Sequence, residues 1–221
     1  MSGRLIVFEG TDGSGKSTQF QMACAALKQA GQEFRTCVYP QYQEESSALV
    51  RMYLGGVFGQ DPAAVNAFAA SAFYAVDRYA GFKTHWGGYY SRGGLMVLDR
   101  YTTSNAVHQA SKLPRNEREA FFRWLDEFEH DRLGLPRPDL VVWLDMPIPL
   151  AAVNLRRREQ NTGAQADIHE ADLDYLTACR DAAAQAAAFY GWYRVNCAGP
   201  DGETRTVEDI HQEVMKQIQN V

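Results

Sequence analysis

The segment FEGTDGSGKSTQF, residues 8–20, constrains the fold of this chain more than any other. Its residues 10–17 match the pattern G-x-x-x-x-G-K-[S/T], in which glycines let backbone N–H groups converge on phosphate oxygens. A short apolar run ends at the first residue of the segment, Phe8, and a helical pattern begins within the segment. Strand, loop and helix in that order are the context in which this pattern binds phosphate. The segment therefore predicts a nucleoside triphosphate site, without identifying the acceptor of the phosphoryl group.

Most residues of this loop have an expected contact. Lys16 is expected to reach the β- and γ-phosphates, and the Ser17 hydroxyl to bind Mg²⁺. One residue does not fit, because Asp12 puts a negative charge into a loop that attracts anions. The residues expected to bind the ATP phosphates are Gly10, Gly13, Ser14, Gly15, Lys16, Ser17 and Thr18.

Short apolar runs alternate with longer helical patterns along the chain, which is typical of a parallel sheet with crossover helices. The runs are residues 5–8, 34–39, 95–99, 140–145 and 192–197, and the first four have the composition of strands buried on both faces. The helical patterns are residues 17–30, 66–86, 116–133, 147–158, 171–190 and 206–218. We therefore predict a three-layer α/β fold, with a five-stranded parallel sheet flanked by helices, in one domain over residues 1–221.

Composition excludes several classes of function. A net charge of −5 and a pI near 5.6 argue against a nucleic-acid binder with a broad basic face. No apolar run approaches the length of a membrane span, and the apolar run near the N-terminus is too short for a signal peptide. The four cysteines are far apart in the sequence, which favours free thiols over a metal site or a disulfide framework. We expect a cytoplasmic protein without nucleic-acid or membrane partners.

Charged residues at strand ends and on one helix mark a candidate ligand crevice. Asp99 and Asp145 each end an apolar run, and ligands of open parallel sheets bind at the carboxyl ends of strands. Asp99 is a candidate for Mg²⁺, whereas Asp145 is as well explained as the cap of the next helix. Arg100 lies at the mouth of this crevice. Tyr74 and Arg78 share a helix face and could hold a flat base, although spacing alone favours an ordinary helix with a solvated arginine.

With these residues assembled, the chain resembles the thymidylate kinases, which phosphorylate dTMP at the expense of ATP. The resemblance rests on residues 8–19, 73–79 (FYAVDRY), 99–109 (DRYTTSNAVHQ) and 138–158, with 167–176 similar to the junction between lid and helix. It implies a fold of the nucleoside-monophosphate-kinase type, production of dTDP for deoxythymidine nucleotide synthesis, Mg²⁺ as cofactor and a homodimer.

The resemblance also implies roles for the residues around the acceptor. Arg78 matches the residue that hydrogen-bonds the thymine ring. Tyr74 sits where the family stacks an aromatic ring, with Phe73 as the alternative. Arg100 matches an arginine that binds the acceptor phosphate. Asn105 and Gln109 sit where contacts to the base edge are made.

Asp12 matches an acid that contacts the 3′-hydroxyl of the acceptor, which explains a negative charge in the phosphate loop. Two positions depart from the family. Tyr42 stands where an arginine commonly binds the acceptor phosphate, and Arg51 is a candidate to replace that arginine. His108 stands where the family more often has Tyr or Phe, a position thought to exclude a ribose 2′-hydroxyl.

The catalytic arginine is a further point of difference within the family. Gly13-Ser14 leaves the phosphate loop without a basic residue other than Lys16, so the resemblance implies the type that carries arginines in a lid, here residues 156–170. A position near Ile168 that is often arginine is apolar here, which leaves residues 156–158, all arginine. Because successive helix residues point about 100° apart, we assign Arg156 and Arg158 to the phosphates. The expected catalytic residues are then Lys16, Asp12, Arg100, Arg156 and Arg158. Arg157 is expected to point outward.

Segments flanking the lid carry two further expectations. The polar residues 159–166 suggest a mobile lid. Asp167 and Glu170 are best explained as a helix cap rather than as part of a metal site.

Two alternative functions remain open from the sequence. A deoxynucleoside kinase would need a carboxylate base near a sugar 5′-hydroxyl, and Glu9 is the obvious candidate. A nucleotide-dependent regulatory protein would need no acceptor, but the chain carries no N/T-K-x-D motif for reading guanine.

Overall fold

Five parallel strands form the sheet at the centre of the computed structural model, which describes residues 3–59, 61, 64–162 and 173–221. The strand order is β2-β3-β1-β4-β5, and every neighbouring pair is parallel. The strand ends lie within one residue of the predicted positions. The strands are β1 (Arg4–Glu9), β2 (Arg35–Val38), β3 (Leu95–Asp99), β4 (Leu140–Asp145) and β5 (Tyr193–Asn196).

Helices connect successive strands and cover both faces of the sheet. They are α1 (Lys16–Gln29), α2 (Ala48–Leu54), α3 (Ala67–Gly81), α4 (Gly87–Ser91), α5 (Arg118–Leu125), α6 (Ile148–Thr162), α7 (Leu173–Tyr190) and α8 (Val207–Ile218). Two of the predicted long helices continue from an α-helix into a π-helical segment. α3 continues into Phe82–Trp86, and α5 continues into Asp126–Arg132.

Two of the helices, α3 and α8, begin at a residue whose side chain accepts a hydrogen bond from a free backbone N–H group. Asn66 caps α3, because its side-chain oxygen accepts a hydrogen bond from the Ala69 N–H at 2.9 Å. Thr206 caps α8 in the same way through Asp209, at 3.1 Å. In the part of the chain that the structure describes, every helix is too short or too polar to cross a membrane.

Two expectations about these elements are wrong. β2 is not buried on both faces: it is an edge strand paired only with β3, and Val38 is 52% exposed. Its apolar composition does not reveal its position in the sheet, because that position depends on strand order. The polar residues after Arg158 also do not all leave the helix, since α6 continues to Thr162. Residues 163–172, which include the rest of the predicted lid and the cap at Asp167 and Glu170, lie outside the described residues.

Alternation along β1 divides the core between the two faces of the sheet. Leu5 and Val7 pack on one side with Met96 and Leu98 of β3. Ile6 and Phe8 pack on the other side against α1, α8 and their neighbours. Burial on both sides makes the central strands rigid, and it fixes the carboxyl ends of β1 and β3, from which the candidate site is built.

Candidate functional site

The loop between β1 and α1 is shaped by glycines and supported by α6. Gly13 and Gly15 have φ angles of 78° and 83°, in the left-handed region that favours glycine. A Cβ atom on Gly13 would lie 2.4 Å from the carbonyl oxygen of Ala151, so no other residue fits there. Asn154 donates a hydrogen bond to the Gly13 carbonyl at 2.9 Å. Asn154 therefore holds the loop in place, a contact that the sequence did not predict.

Lys16 and Ser17 meet Asp99 at the carboxyl end of β3. Lys16 forms an ion pair with Asp99, and the Ser17 hydroxyl lies 3.5 Å from the other carboxylate oxygen. Burial, with Arg100 nearby, lowers the pKa of Lys16, although Asp99 opposes that shift.

Ser17 and Asp99 also fit a magnesium site. Mg²⁺ typically binds one or two protein oxygens together with substrate phosphates and water. A hydroxyl and a carboxylate beside a phosphate loop provide that donor set. Among the described residues, no three His, Cys, Asp or Glu side chains are grouped as an all-protein metal site would require.

Arg100 follows β3 and lies between the phosphate loop and the acceptor side of the crevice. Its guanidinium donates to Asp12 at 2.8 Å and to Glu9 at 3.4 Å, and it contacts the His108 ring at 2.8 Å. Burial opposes its charge, but the carboxylates of Asp12 and Glu9 raise the pKa of Arg100 above its ordinary value. Its φ angle of 66° is in the left-handed region, which is costly for a residue with a Cβ atom. The backbone is therefore strained at the residue that joins these groups.

Glu9 is fully buried and serves as an acceptor for four groups. It accepts hydrogen bonds from the hydroxyls of Thr103 and Ser104, both at 2.7 Å, and from the Gly10 N–H at 2.9 Å. Arg100 is the fourth donor. Both carboxylate oxygens are thus occupied by protein groups, an arrangement that sequence reasoning missed because Thr103 and Ser104 lie far along the chain.

A cavity of about 340 Å³ adjoins the phosphate loop and gathers most of the predicted acceptor residues. Its volume is in the range of small-molecule sites. Other walls come from Tyr39, Tyr53, His108 and Tyr175. The predicted residues that line it are Asp12, Lys16, Ser17, Tyr42, Tyr74, Arg78, Asp99, Arg100, Asn105 and Gln109.

Arg78 is not the solvated arginine that its helix spacing favoured, since it is 1% exposed. Its Nε and Nη2 atoms donate to the two oxygens of Glu129, at 2.7 and 2.8 Å. The same carboxylate accepts from the Asn105 amide nitrogen at 2.8 Å. Glu129 lies 51 residues from Arg78 in the sequence, in a segment whose pattern indicated only an amphipathic helix.

Two buried polar atoms in the site have no hydrogen-bond partner among the described residues. They are Oγ of Ser14, in the phosphate loop, and Oε1 of Gln109, in the wall of the cavity. Buried polar atoms are almost always hydrogen-bonded. Both atoms are therefore suited to a ligand, Ser14 to one in the phosphate loop and Gln109 to a donor group in the cavity.

The aromatic residues of the cavity differ in their exposure. Tyr74 is largely buried, and burial raises the pKa of its hydroxyl well above the ordinary value, so it stays protonated. Tyr42 is 49% exposed at the rim. Arg51, the candidate replacement for the missing arginine, instead donates to the carbonyls of Tyr42 and Glu44, at 2.8 and 2.9 Å. Arg51 thus ties down the loop that carries Tyr42.

His108 joins Arg100 to helix α7. A guanidinium is only a donor, so Nε2 of His108 accepts from Arg100, and the ring is neutral with its proton on Nδ1. Nδ1 lies 3.0 Å from the Tyr175 hydroxyl, and the two rings are stacked at 6.2 Å. The sequence identified His108 only as a departure from the family and did not reveal this connection.

Asp145 does not cap the helix that follows it, which was one of the two roles that its position in the sequence suggested. Its carboxylate, 1% exposed, accepts from Arg180 of α7 at 2.6 Å and from Arg194 of β5 at 2.7 Å. This ion pair joins the end of β4 to its neighbours. The sequence could not show it, because both arginines follow in later elements.

Of the lid arginines, Arg156 and Arg157 are both exposed on α6, and the side chain of Arg158 lies outside the described residues. Exposure therefore does not distinguish Arg156 from Arg157. The assignment of Arg156 to the phosphates and the outward orientation of Arg157 both stay predictions.

Comparison with known proteins agrees with this geometry. The family profile described as thymidylate kinase matches residues 8–214. A thymidylate kinase of Mycobacterium tuberculosis is 33% identical over 193 residues, covering 85% of this chain and 87% of that protein. Thymidylate kinases of Cyanothece sp. and Synechococcus sp. are 29% and 28% identical, covering 76% and 97% of this chain and 74% and 94% of those proteins. The chain belongs to the thymidylate kinase family, whose members transfer a phosphoryl group from ATP to dTMP.

Proposed function

We propose that this chain binds ATP in the loop before α1 and dTMP in the adjoining cavity, and transfers the γ-phosphoryl group to give ADP and dTDP. The observation that carries the proposal is the direct connection between the two sites. Arg100 contacts Asp12 of the phosphate loop at 2.8 Å and also lines the acceptor cavity. A phosphate bound beside Arg100 would therefore lie next to the γ-phosphate of ATP.

The proposed orientation of the thymine nucleotide follows from the polar and aromatic residues of the cavity. Arg78 and Asn105 provide polar atoms for the base edge, and Tyr74 provides an aromatic surface beside them. Asp12 lines the cavity from the phosphate loop, beside Arg100, where it would accept a hydrogen bond from the 3′-hydroxyl. Arg100 would bind the acceptor phosphate there.

Catalysis in this arrangement depends on position and charge. The acceptor phosphate is already ionised, so the enzyme needs no strong general base. Lys16 and the backbone N–H groups of the loop would hold the transferred group, while Arg100 orients the attacking oxygen. Ser17 and Asp99 would hold Mg²⁺, which neutralises charge on the phosphates when bound. Arg156 and Arg158 are proposed to supply the remaining positive charge from α6.

The contacts of Glu9 weigh against a deoxynucleoside kinase. A catalytic base must have an oxygen within reach of the substrate hydroxyl. Glu9 is fully buried, and both of its oxygens accept hydrogen bonds from the protein. Its arrangement is that of a residue that supports Arg100.

We further propose that the chain forms a homodimer through the outer face of α3. Phe68, Val76 and Tyr79 are exposed on this helix, and with Ala72 their spacings of four, four and three residues place them on one face. An exposed apolar stripe of this kind is typical of an interaction surface. Because one helix can pack on its own copy around a two-fold axis, a second chain is the proposed occupant.

The activity is tested by ADP release from purified protein with Mg-ATP and a panel of acceptors: dTMP, dUMP, UMP, AMP and thymidine. We expect turnover with dTMP well above that with the other acceptors. Turnover with thymidine but not with dTMP would identify a nucleoside kinase. An equal rate of ATP hydrolysis with every acceptor would support only ATP binding by the phosphate loop and would contradict the dTMP site.

A further inference from the structure

The residues expected to recognise the base meet at one buried carboxylate. Glu129 is fully buried in the π-helical segment Asp126–Arg132. It lies behind Arg78 and Asn105, which line the acceptor cavity and are each 1% exposed. A carboxylate without access to water requires close partners, and Glu129 has three donors within 2.8 Å.

Glu129 determines how Arg78 presents its guanidinium. The carboxylate binds Nε and Nη2 side-on, through both of its oxygens, at 2.7 and 2.8 Å. This two-point contact fixes the plane and the rotation of the guanidinium. The N–H groups that remain, above all those of Nη1, form the edge that Arg78 can offer to a ligand. Arg78 is therefore held as a donor of fixed direction.

Glu129 also determines which end of the Asn105 amide is available. The amide nitrogen donates to Oε1 of Glu129 at 2.8 Å and to the carbonyl oxygen of Ser71 at 3.2 Å. Both partners can only accept, so the nitrogen has to face them and both of its N–H groups are used. The amide oxygen is then the atom that Asn105 can offer in the cavity. Without the carboxylate, this preference would rest on Ser71 alone.

We propose that Glu129 is a positioning residue that sets the hydrogen-bond polarity of the base site, a donor on Arg78 beside an acceptor on Asn105. This polarity complements a base edge with a carbonyl oxygen next to a ring N–H, as in thymine and uracil. Cytosine presents an amino group next to an unprotonated ring nitrogen. The amino group would then face the donor on Arg78 and the ring nitrogen would face the acceptor on Asn105, so neither hydrogen bond forms. Glu129 thereby selects keto over amino pyrimidines, and this inference rests on the proposed function.

The test is the variant Glu129→Gln, assayed with dTMP and with dCMP at saturating ATP. An amide can turn either end toward Arg78, so Asn105 is no longer held in one orientation. We expect KM for dTMP to rise about tenfold or more, and the ratio of kcat/KM for dTMP over dCMP to fall at least about tenfold, as for loss of a hydrogen bond to a charged group. KM for ATP should stay within about twofold.

Asp181→Asn is the matched control. It makes the same acid-to-amide change in an ion pair, with Arg118 at 2.6 Å, away from the cavity. We expect this variant to keep the wild-type ratio. An unchanged ratio in Glu129→Gln, or an equal fall in both variants, would overturn the proposal.

A second variant keeps the test valid if Glu129→Gln does not fold. Glu129→Asp retains the charge but is one methylene shorter, so it cannot keep all three contacts. Its ratio should also fall, and an unchanged ratio would overturn the proposal. Wild-type protein that fails to phosphorylate dTMP would instead refute the proposed function.

Discussion

Arg100 offers a way to separate backbone strain from side-chain chemistry at the active site. Its φ angle of 66° is in the left-handed region, and it is the only non-glycine residue with a positive φ in the described chain. Glycine adopts this conformation without strain, whereas alanine does not. Arg100→Gly and Arg100→Ala both remove the guanidinium and its contacts to Asp12, Glu9 and His108. The two variants therefore differ mainly in the backbone.

The expected difference follows from two opposing contributions. A left-handed backbone costs a residue with a Cβ atom about 1–2 kcal/mol. Glycine loses more conformational freedom on folding, which costs it roughly 0.5–1 kcal/mol relative to alanine. We therefore expect Arg100→Gly to be more stable than Arg100→Ala by about 0.5–1 kcal/mol, or about 1–4 °C in Tm for a chain of this size.

The assay is urea unfolding of both variants, together with kcat/KM for dTMP. Both should lose activity to the same extent, about 100-fold or more, because both lack the charge that binds the acceptor phosphate. Gln21, exposed on α1, is the control position, where Gly should be less stable than Ala by about 1 kcal/mol. The reasoning is refuted if Arg100→Ala is at least as stable as Arg100→Gly.

Three further predictions concern the lid, the dimer and the charge of a lysine. Arg156→Ala and Arg158→Ala should each lower kcat about 100-fold or more, while Arg157→Ala does little, and a collapse of kcat in Arg157→Ala alone would reverse the assignment. Val76→Asp should sediment as a monomer where the wild type is a dimer, and a dimeric variant or a monomeric wild type would contradict the α3 interface. Burial lowers the pKa of Lys112 from 10.5 to about 8. Between pH 8 and 10.5 the unfolded chain keeps a proton on Lys112 that the folded chain has lost. The unfolding free energy of the wild type should therefore rise with pH relative to that of Lys112→Met, and a difference that stays constant with pH would contradict the lowered pKa.

The sequence predicted well those features that depend on neighbouring residues. The phosphate loop, the strand ends and most helix ends follow from patterns within about twenty residues, which is why they agree with the structure. The α/β fold also follows, because alternating strands and helices have few ways to pack. The resemblance then pointed to Asp12, Tyr74, Arg78 and Arg100, and the fold brings all of them to one cavity.

The sequence did not reveal ion pairs between residues that are far apart along the chain. Arg78 resembled a solvated arginine because no acidic residue lies three or four positions from it on its helix, and Glu129 meets it only after the segment Asp126–Arg132 packs beside α3. Asp145 resembled a helix cap because Arg180 and Arg194 belong to later elements. In each case a local pattern suggested an exposed or local role for a group that the fold buries.

The amino-acid sequence by itself determined the layers of this protein, the phosphate loop and the chemical groups available at the carboxyl ends of its strands. The tertiary structure alone decided that β2 is an exposed edge, that Glu9 accepts hydrogen bonds from Thr103 and Ser104, and that Glu129 does so from Arg78 and Asn105. The physical reason is that a buried charge needs a partner whatever its distance along the chain. Which partner it finds depends on strand order and helix packing.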